Sequence, residues 1–167
     1  MTTPDSDREL AALAALPRGQ RLLGFDVGTK TIGLGLSDVG RSLASPLETI
    51  MRSKFTKDAE RIAALCQRYD VGGLVVGLPL NMDGTEGPRV QATRAFMRNL
   101  SKTVPLPFVF WDERLSTAAV TRSLIEADAS RAKRAVVVDR MAAAYILQGA
   151  LDRMRNLEAQ QSATDEI

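Results

Sequence analysis

The sequence predicts an α/β domain on a five-stranded mixed sheet, three antiparallel strands followed by two parallel ones, with helices on both faces. Three observations carry that expectation. Three strand-like runs follow one another over residues 21–50 with only tight turns between them. Helical and strand patterns then alternate from Ser53 to Glu113, and a closing stretch from Val136 to Arg155 has helical apolar spacing. Strands joined by short turns form an antiparallel meander. A strand–helix–strand alternation adds parallel strands whose helices cover the sheet.

Each element has a local reason. Residues 1–20 read as a partly helical or loose tail ended by Pro17-Arg18-Gly19. The domain proper spans 21–155, and a polar tail, 156–167, frays from Glu158. Arg21 to Val27 is the first strand, Gly28-Thr29-Lys30 a turn, Thr31 to Asp38 the second strand and Ser42 to Ile50 the third. Ser53 or Thr56 can cap a helix to Tyr69, with Ile62, Leu65, Cys66 and Tyr69 at helical spacing. Gly72 to Leu78 is continuously apolar, as a strand buried on both faces requires. After the polar loop 79–87, a helix runs from Pro88 to Thr103 and stops before Pro105 and Pro107. Phe108 to Glu113 is the fifth strand, and Ser116 caps a helix to Ala127. A mostly basic connector, 128–134, leads to the last helix.

Composition narrows the chemistry. The 167 residues suit one domain with a proper core, 45% hydrophobic and 25% charged. No apolar run approaches the roughly 20 residues of a membrane span, and the polar, acidic N-terminus is not a secretory pattern. The single cysteine, Cys66, cannot form an internal disulfide, which suits a reducing cytoplasm. The chain has no histidine, so Ser-His-Asp and Cys-His catalysis and His-ligated zinc are excluded. Carboxylates, Lys, Arg, hydroxyls and hard cations remain. A net charge of +2 means that a nucleic-acid partner needs a local basic patch.

Acidic residues in apolar settings stand out against that background. Asp26 lies within the first strand and shares a face with Leu22 and Gly24, while Gly33 and Gly35 alternate on the next strand. Glycines flanking Asp26 would leave the sheet bare there, open to a ligand or to another backbone. The competing reading makes Asp26 a turn residue. Asp112 and Glu113 end the fifth strand on opposite faces, so one of them can reach a shared site. Glu113 is favoured and Asp112 held in reserve, against a solvated strand end paired to Arg114. Asp139 precedes Ala142, Ala143, Ile146 and Ala150 on a small apolar helical face near a helix N-terminus. Its competing role is an N-terminal cap. Gathered carboxylates repel one another unless a cation lies between them, and divalent cations catalyse phosphate-ester hydrolysis.

Other segments offer phosphate contacts. Gly28-Thr29-Lys30 could present N–H groups and an ammonium, although it is neither a Walker A loop nor a dinucleotide fingerprint. The loop from Leu78 to Gly87 follows a buried strand, where open α/β sheets bind ligands. Arg131, Lys133 and Arg134 precede Asp139 and could hold a nucleic-acid backbone, or form a solvated basic loop.

Taken together, four segments resemble the motifs of one family. Leu23-Gly24-Phe25-Asp26-Val27-Gly28-Thr29-Lys30-Thr31-Ile32-Gly33 with Ser37-Asp38 is similar to its first motif, and Val76-Gly77-Leu78-Pro79-Leu80-Asn81-Met82-Asp83-Gly84 to its second. Asp112-Glu113-Arg114-Leu115-Ser116-Thr117 resembles the third, and Val138-Asp139-Arg140-Met141-Ala142-Ala143 with Ile146-Leu147-Gln148 the last. The family is YqgF (RuvX), the pre-16S rRNA nucleases also called Holliday junction resolvases, and the resemblance covers residues 21–152.

The resemblance implies a ribonuclease H-like fold, with Asp26, Glu113 and Asp139 as metal-binding catalytic acids. It implies a bacterial, cytoplasmic nuclease that matures the 5′ end of 16S rRNA within precursor rRNA or the pre-ribosomal particle. The cofactor would be a divalent metal, Mg²⁺ or Mn²⁺. Lys30, Arg114, Arg131, Lys133 and Arg134 would contact phosphates. True RuvC resolvases carry an acid on the fourth strand, where this chain has Val75-Val76-Gly77-Leu78, and two in the last helix, where it has Asp139 and then Ala142. That departure favours RNA processing over junction resolution. A resolvase needs a two-fold dimer, and no dimer seam stands out, so monomer and homodimer both stay open. Two other classes compete. An actin-like ATPase or sugar kinase would need two such domains, and a non-catalytic nucleic-acid-binding or transcription-associated protein would work without the acids.

Overall fold

Side-chain alternation along the strands divides the interior into two cores, one on each face of a single sheet. The computed structural model describes residues 4–115 and 131–166. Strands β1 (Arg21–Val27), β2 (Thr31–Ser37), β3 (Ala44–Met51), β4 (Val71–Leu78) and β5 (Phe108–Asp112) lie in the order β3-β2-β1-β4-β5. β1, β2 and β3 pair antiparallel, and β4 and β5 add to β1 in parallel. The mixed sheet expected from the sequence is the one observed.

Helices α1 (Pro4–Ala14), α2 (Phe55–Arg68), α3 (Pro88–Leu100) and α4 (Arg131–Asp165) complete the described residues. Leu23, Phe25, Ile32, Leu34, Leu74 and Val76 point to one face and pack with Ile62 and Leu65 of α2 and Phe96 and Leu100 of α3. Leu22, Val75, Val109 and Trp111 point to the other, against Ala142, Ile146, Leu147 and Leu151 of α4 and Leu10 and Leu13 of α1. β4 is buried along its whole length, as its unbroken apolar run requires. Among the described residues no helix is long and apolar enough to cross a membrane.

Several boundaries differ from expectation, each for a visible reason. The segment 1–20 is not a loose tail where it is described. Leu10 and Leu13 are 0% and 2% exposed, and Asp7 is paired with Arg153 of α4 at 2.8 Å. Arg41, at a left-handed φ of 52°, donates to the carbonyls of Ala14, Leu16, Pro17 and Gln20, closing the C-terminal end of α1. The N-cap of α2 is Lys54, without a side-chain cap. Buried Asp58 instead reaches back to the Ser53 N–H at 3.3 Å. The last helix is already formed at Arg131, where a connector was expected, and it continues to Asp165 rather than ending near Arg155. The helix expected over Ser116–Ala127 lies outside the described residues.

Most consequential is how closely α4 lies on the sheet. Gly24 pairs with Gly35, and Asp26 with Gly33, across β1 and β2. A Cβ at Gly24 would come 2.9 Å from the Ala143 carbonyl, and one at Gly35 2.9 Å from the Ala144 backbone. A Cβ at Gly33 would overlap the carbonyl of Asp139 outright. The bare strip around Asp26 therefore receives a backbone, and that backbone belongs to the helix carrying the other candidate acid. Gln148 fixes the helix laterally. Its amide oxygen accepts from the Ala44 N–H at 2.8 Å and its nitrogen donates to the Ser42 carbonyl at 3.0 Å, tying the edge strand β3 to α4.

Two substitutions test this packing by chemical denaturation. Gly33→Ala should destabilise the fold by about 3 kcal/mol, because backbone rather than a flexible side chain must yield. Leu10→Ala should cost about 2–5 kcal/mol, the range for a fully buried leucine, whereas a residue in a loose tail would leave the unfolding midpoint unchanged.

Candidate functional site

The candidate acids come from three elements and meet the sheet at one end of one face. Asp26, one residue from the C-terminal end of β1, is 3% exposed. Its partner across the ladder, Gly33, lies directly under Asp139. Adjacent strands are about 4.8 Å apart, so Asp139 sits roughly one strand spacing to the side of Asp26. Because α4 is already helical at Arg131, Asp139 is not an N-terminal cap. It also lies beyond the first turn, where the helix dipole acts most strongly. Its carboxylate Oδ2 accepts a hydrogen bond from the hydroxyl of Thr31, a buried residue of β2.

Glu113 approaches from the opposite side. The β1–β4 register pairs Phe25 with Val76, which sets Asp26 beside Gly77. Gly77 in turn pairs with Trp111 of β5, and Glu113 follows two residues later on the same face. β5 ends at Asp112, and a 3₁₀ turn over Glu113–Leu115 begins there. A Cβ at Gly77 would meet Glu113 Oε1 at 2.8 Å and its Cγ at 3.2 Å. The glycine thus leaves a cradle that the glutamate fills, and Glu113 is 7% exposed.

Asp112 faces away and does what a strand-end acid does. It accepts from Arg114 Nη2 at 2.7 Å and from the Arg114 backbone N–H at 3.0 Å. Burial alone would raise its carboxyl pKa, but the hydrogen bonds from Arg114 outweigh burial and hold it below the ordinary value. Arg114 also donates to the Met82 carbonyl at 3.1 Å. Arg114, a residue expected to meet a phosphate, here braces the loop after β4 against the end of β5. That loop is ordered from within: Asn81 N–H donates to the Thr85 carbonyl at 3.0 Å, and the Thr85 hydroxyl donates to Asp83 at 2.6 Å.

Of the expected cations, Lys30 is exposed in the β1–β2 turn, at the same end of the sheet as Asp26. Arg131, Lys133 and Arg134 lie on the opening turns of α4, on the helix that carries Asp139 and not on a connector. Two residues near the site were not anticipated. Thr31 shares the face of Gly33 by simple alternation, so the signal was there to be read. Arg52 donates to the Gly28 carbonyl at 2.6 Å and lies 5.3 Å from the Phe96 ring centre; no motif marks it. Cys66 is buried, and burial pushes its thiol up to about 11, against thiolate formation.

A divalent cation suits this donor set. The acids offer only carboxylate oxygens, the ligands that hard cations take, and the Gly77 cradle presents one of them at the strand ends. Among the described residues no three acidic or other ligating side chains close into a cage around one ion. Mg²⁺ does not need one. It binds through one or two carboxylates, keeps several waters and takes substrate oxygens directly.

The Asp112–Arg114 brace gives a pH prediction. Asp112 is depressed in the folded chain, so its contribution is complete above the unfolded value of about 3.9 and drains away as pH falls through the lower folded value. Asp112→Asn should lower the urea midpoint at pH 7, and the gap from the unsubstituted protein should close as both are titrated toward pH 2.

Comparison with known proteins agrees with the architecture. A family model described as "RuvX: Holliday junction resolvase" matches residues 20–153. A Methylocella silvestris protein named "Putative pre-16S rRNA nuclease" is 66% identical over 155 residues, covering 90% of this chain and 96% of its own. A Beijerinckia indica protein of the same name is 70% identical over 135 residues, covering 81% and 82%. Among solved structures, Thermus thermophilus RuvC in complex with a Holliday junction substrate superposes with a TM-score of 0.51 at 14% identity, over 81% of this chain and 96% of that one. The yeast mitochondrial Holliday junction resolvase Ydc2 gives 0.52 at 12%, over 99% and 92%. At such identities these structures speak for the ribonuclease H-like fold.

Proposed function

Because the chain belongs to the RuvX family, we propose that it is a divalent-metal-dependent nuclease that hydrolyses phosphodiester bonds, acting in the cytoplasm on the 5′ end of pre-16S rRNA. The observation that carries this reading is the placing of Asp26, Glu113 and Asp139 at one end of one sheet face, on β1, the end of β5 and α4. The names of the relatives support rRNA as the substrate.

In this reading the three carboxylates share the binding of Mg²⁺ or Mn²⁺, each ion taking one or two of them. When bound, such a cation stabilises charge on the phosphoryl oxygens and lowers the pKa of a coordinated water. The protein supplies the rest. Asp26 is fixed by the interior of β1, Glu113 by the cradle over Gly77, and Asp139 by the contact of its helix with Gly33. Lys30, with Arg131, Lys133 and Arg134, would hold the flanking phosphates and set the register of the strand to be cut. Arg114 would keep the loop after β4 in place beside the cleavage point.

Asp26→Asn keeps shape and removes charge. It should lower cleavage of a precursor 16S 5′ fragment in Mg²⁺ by on the order of a hundredfold or more, with the circular dichroism spectrum and melting temperature preserved. A chelator should abolish cleavage by the unsubstituted protein. Faster cleavage of a four-way DNA junction than of the RNA would favour the junction-resolving alternative, and full activity of Asp26→Asn would remove Asp26 from the chemistry.

A further inference from the structure

Thr31 belongs to none of the roles assigned above. It opens β2 next to a turn, where an exposed polar residue would be ordinary, yet it is only 6% exposed. Its backbone is fixed on both sides: the Gly28 N–H donates to its carbonyl at 2.8 Å, and it pairs with Met51 of β3. Alternation places its side chain on the face of Gly33, under α4. The hydroxyl donates to Oδ2 of Asp139, 108 residues away.

We propose that Thr31 is a positioning residue for Asp139, its hydroxyl holding the carboxylate in the orientation in which it binds the cation. This rests on the reading of Asp139 as a metal-binding acid. Three features suit Thr31 to the task. A β-branched side chain is stiff at χ1, so the donor is presented in few orientations. A hydroxyl can donate to a carboxylate without competing for the cation as a second anion would. The contact also spans the seam at which α4 meets the sheet, so it sets the angle of the acid independently of how deeply the helix is seated. Partners that orient metal-binding side chains in this way typically contribute 10- to 100-fold to affinity or activity.

The test compares Thr31→Val, which keeps the shape and removes the donor, with Thr31→Ser, which keeps the donor. Mn²⁺ binding to the full chain is measured by calorimetry, beside cleavage of the precursor fragment and thermal unfolding. Thr31→Val should weaken Mn²⁺ binding about 10-fold and slow cleavage similarly, and Thr31→Ser should recover most of both. In an Asp139→Asn background, Thr31→Val should have no further effect on Mn²⁺. Unchanged Mn²⁺ binding in Thr31→Val, or equal damage in Thr31→Ser, would overturn the proposal while leaving Asp139 as a ligand. Unchanged Mn²⁺ binding and cleavage in Asp139→Asn itself would instead overturn the reading on which it rests.

Discussion

The rest of the structure depends on the contact between the backbone of α4 and the bare strip of β1 and β2. Helix and sheet ordinarily meet through layers of side chains, which hold the two backbones apart. Here Gly24, Gly33 and Gly35 remove that layer along two neighbouring strands, and the helix settles until its carbonyls touch the sheet. An acid on such a helix is carried to the level of an acid on the strand. With larger side chains at those positions the helix would ride higher, and Asp139 would be lifted from the level of Asp26. Small residues on the helix complete the fit: Ala142, Ala143 and Ala144 are all buried where it crosses the strip.

Glu113 solves the same problem from the other side of the strip. A glutamate at the end of a strand would ordinarily swing into water, because burying a carboxylate is unfavourable unless something compensates. The missing side chain of Gly77 gives it room, and the turn that begins at Glu113 stops the strand so that the side chain folds back over β4. Asp112, one residue earlier, takes the outward position, and its pairing with Arg114 fixes the chain direction at that point. Two adjacent acids thus take opposite sides, one paired with Arg114 and one lying over Gly77. The division follows from the two-residue period of a strand.

That period is also why so much could be read in advance. The alternation of Gly24 with Asp26 and of Gly33 with Gly35 is visible in the chain, and so is the fact that Asp112 and Glu113 must point opposite ways. The antiparallel meander follows from the tight connections, whereas the place of β4 beside β1 is seen only in the structure. What occupied the bare strip was not legible, because a glycine reports only that something comes close and not what. The packing of the first helix was not legible, because the burial of Leu10 and Leu13 depends on α4, more than a hundred residues away. Arg41 could not have been seen either. Its left-handed backbone and its binding of four carbonyls are marked by nothing local in the sequence. The start of α4 was placed too late because the basic run 131–134 reads equally well as a solvated connector or as an exposed helical turn.

Under the proposed function, the double engagement of Asp139 would link stability to chemistry. Its backbone carbonyl lies on Gly33 and its side chain is bound by Thr31, two residues earlier on the same face of β2. Sliding α4 by one residue would shift it about 1.5 Å along its axis and turn it about 100°, which would carry the carboxylate away from the site. The same slip would break the bonds of Gln148 to Ser42 and Ala44. The register of the helix is therefore set at two points of opposite character: a steric stop at Gly33 that fixes its height, and a polar clamp at Gln148 that fixes its position along the edge strand. Between these two, the Thr31 hydroxyl acts on the Asp139 carboxylate itself, at the seam where helix and sheet meet.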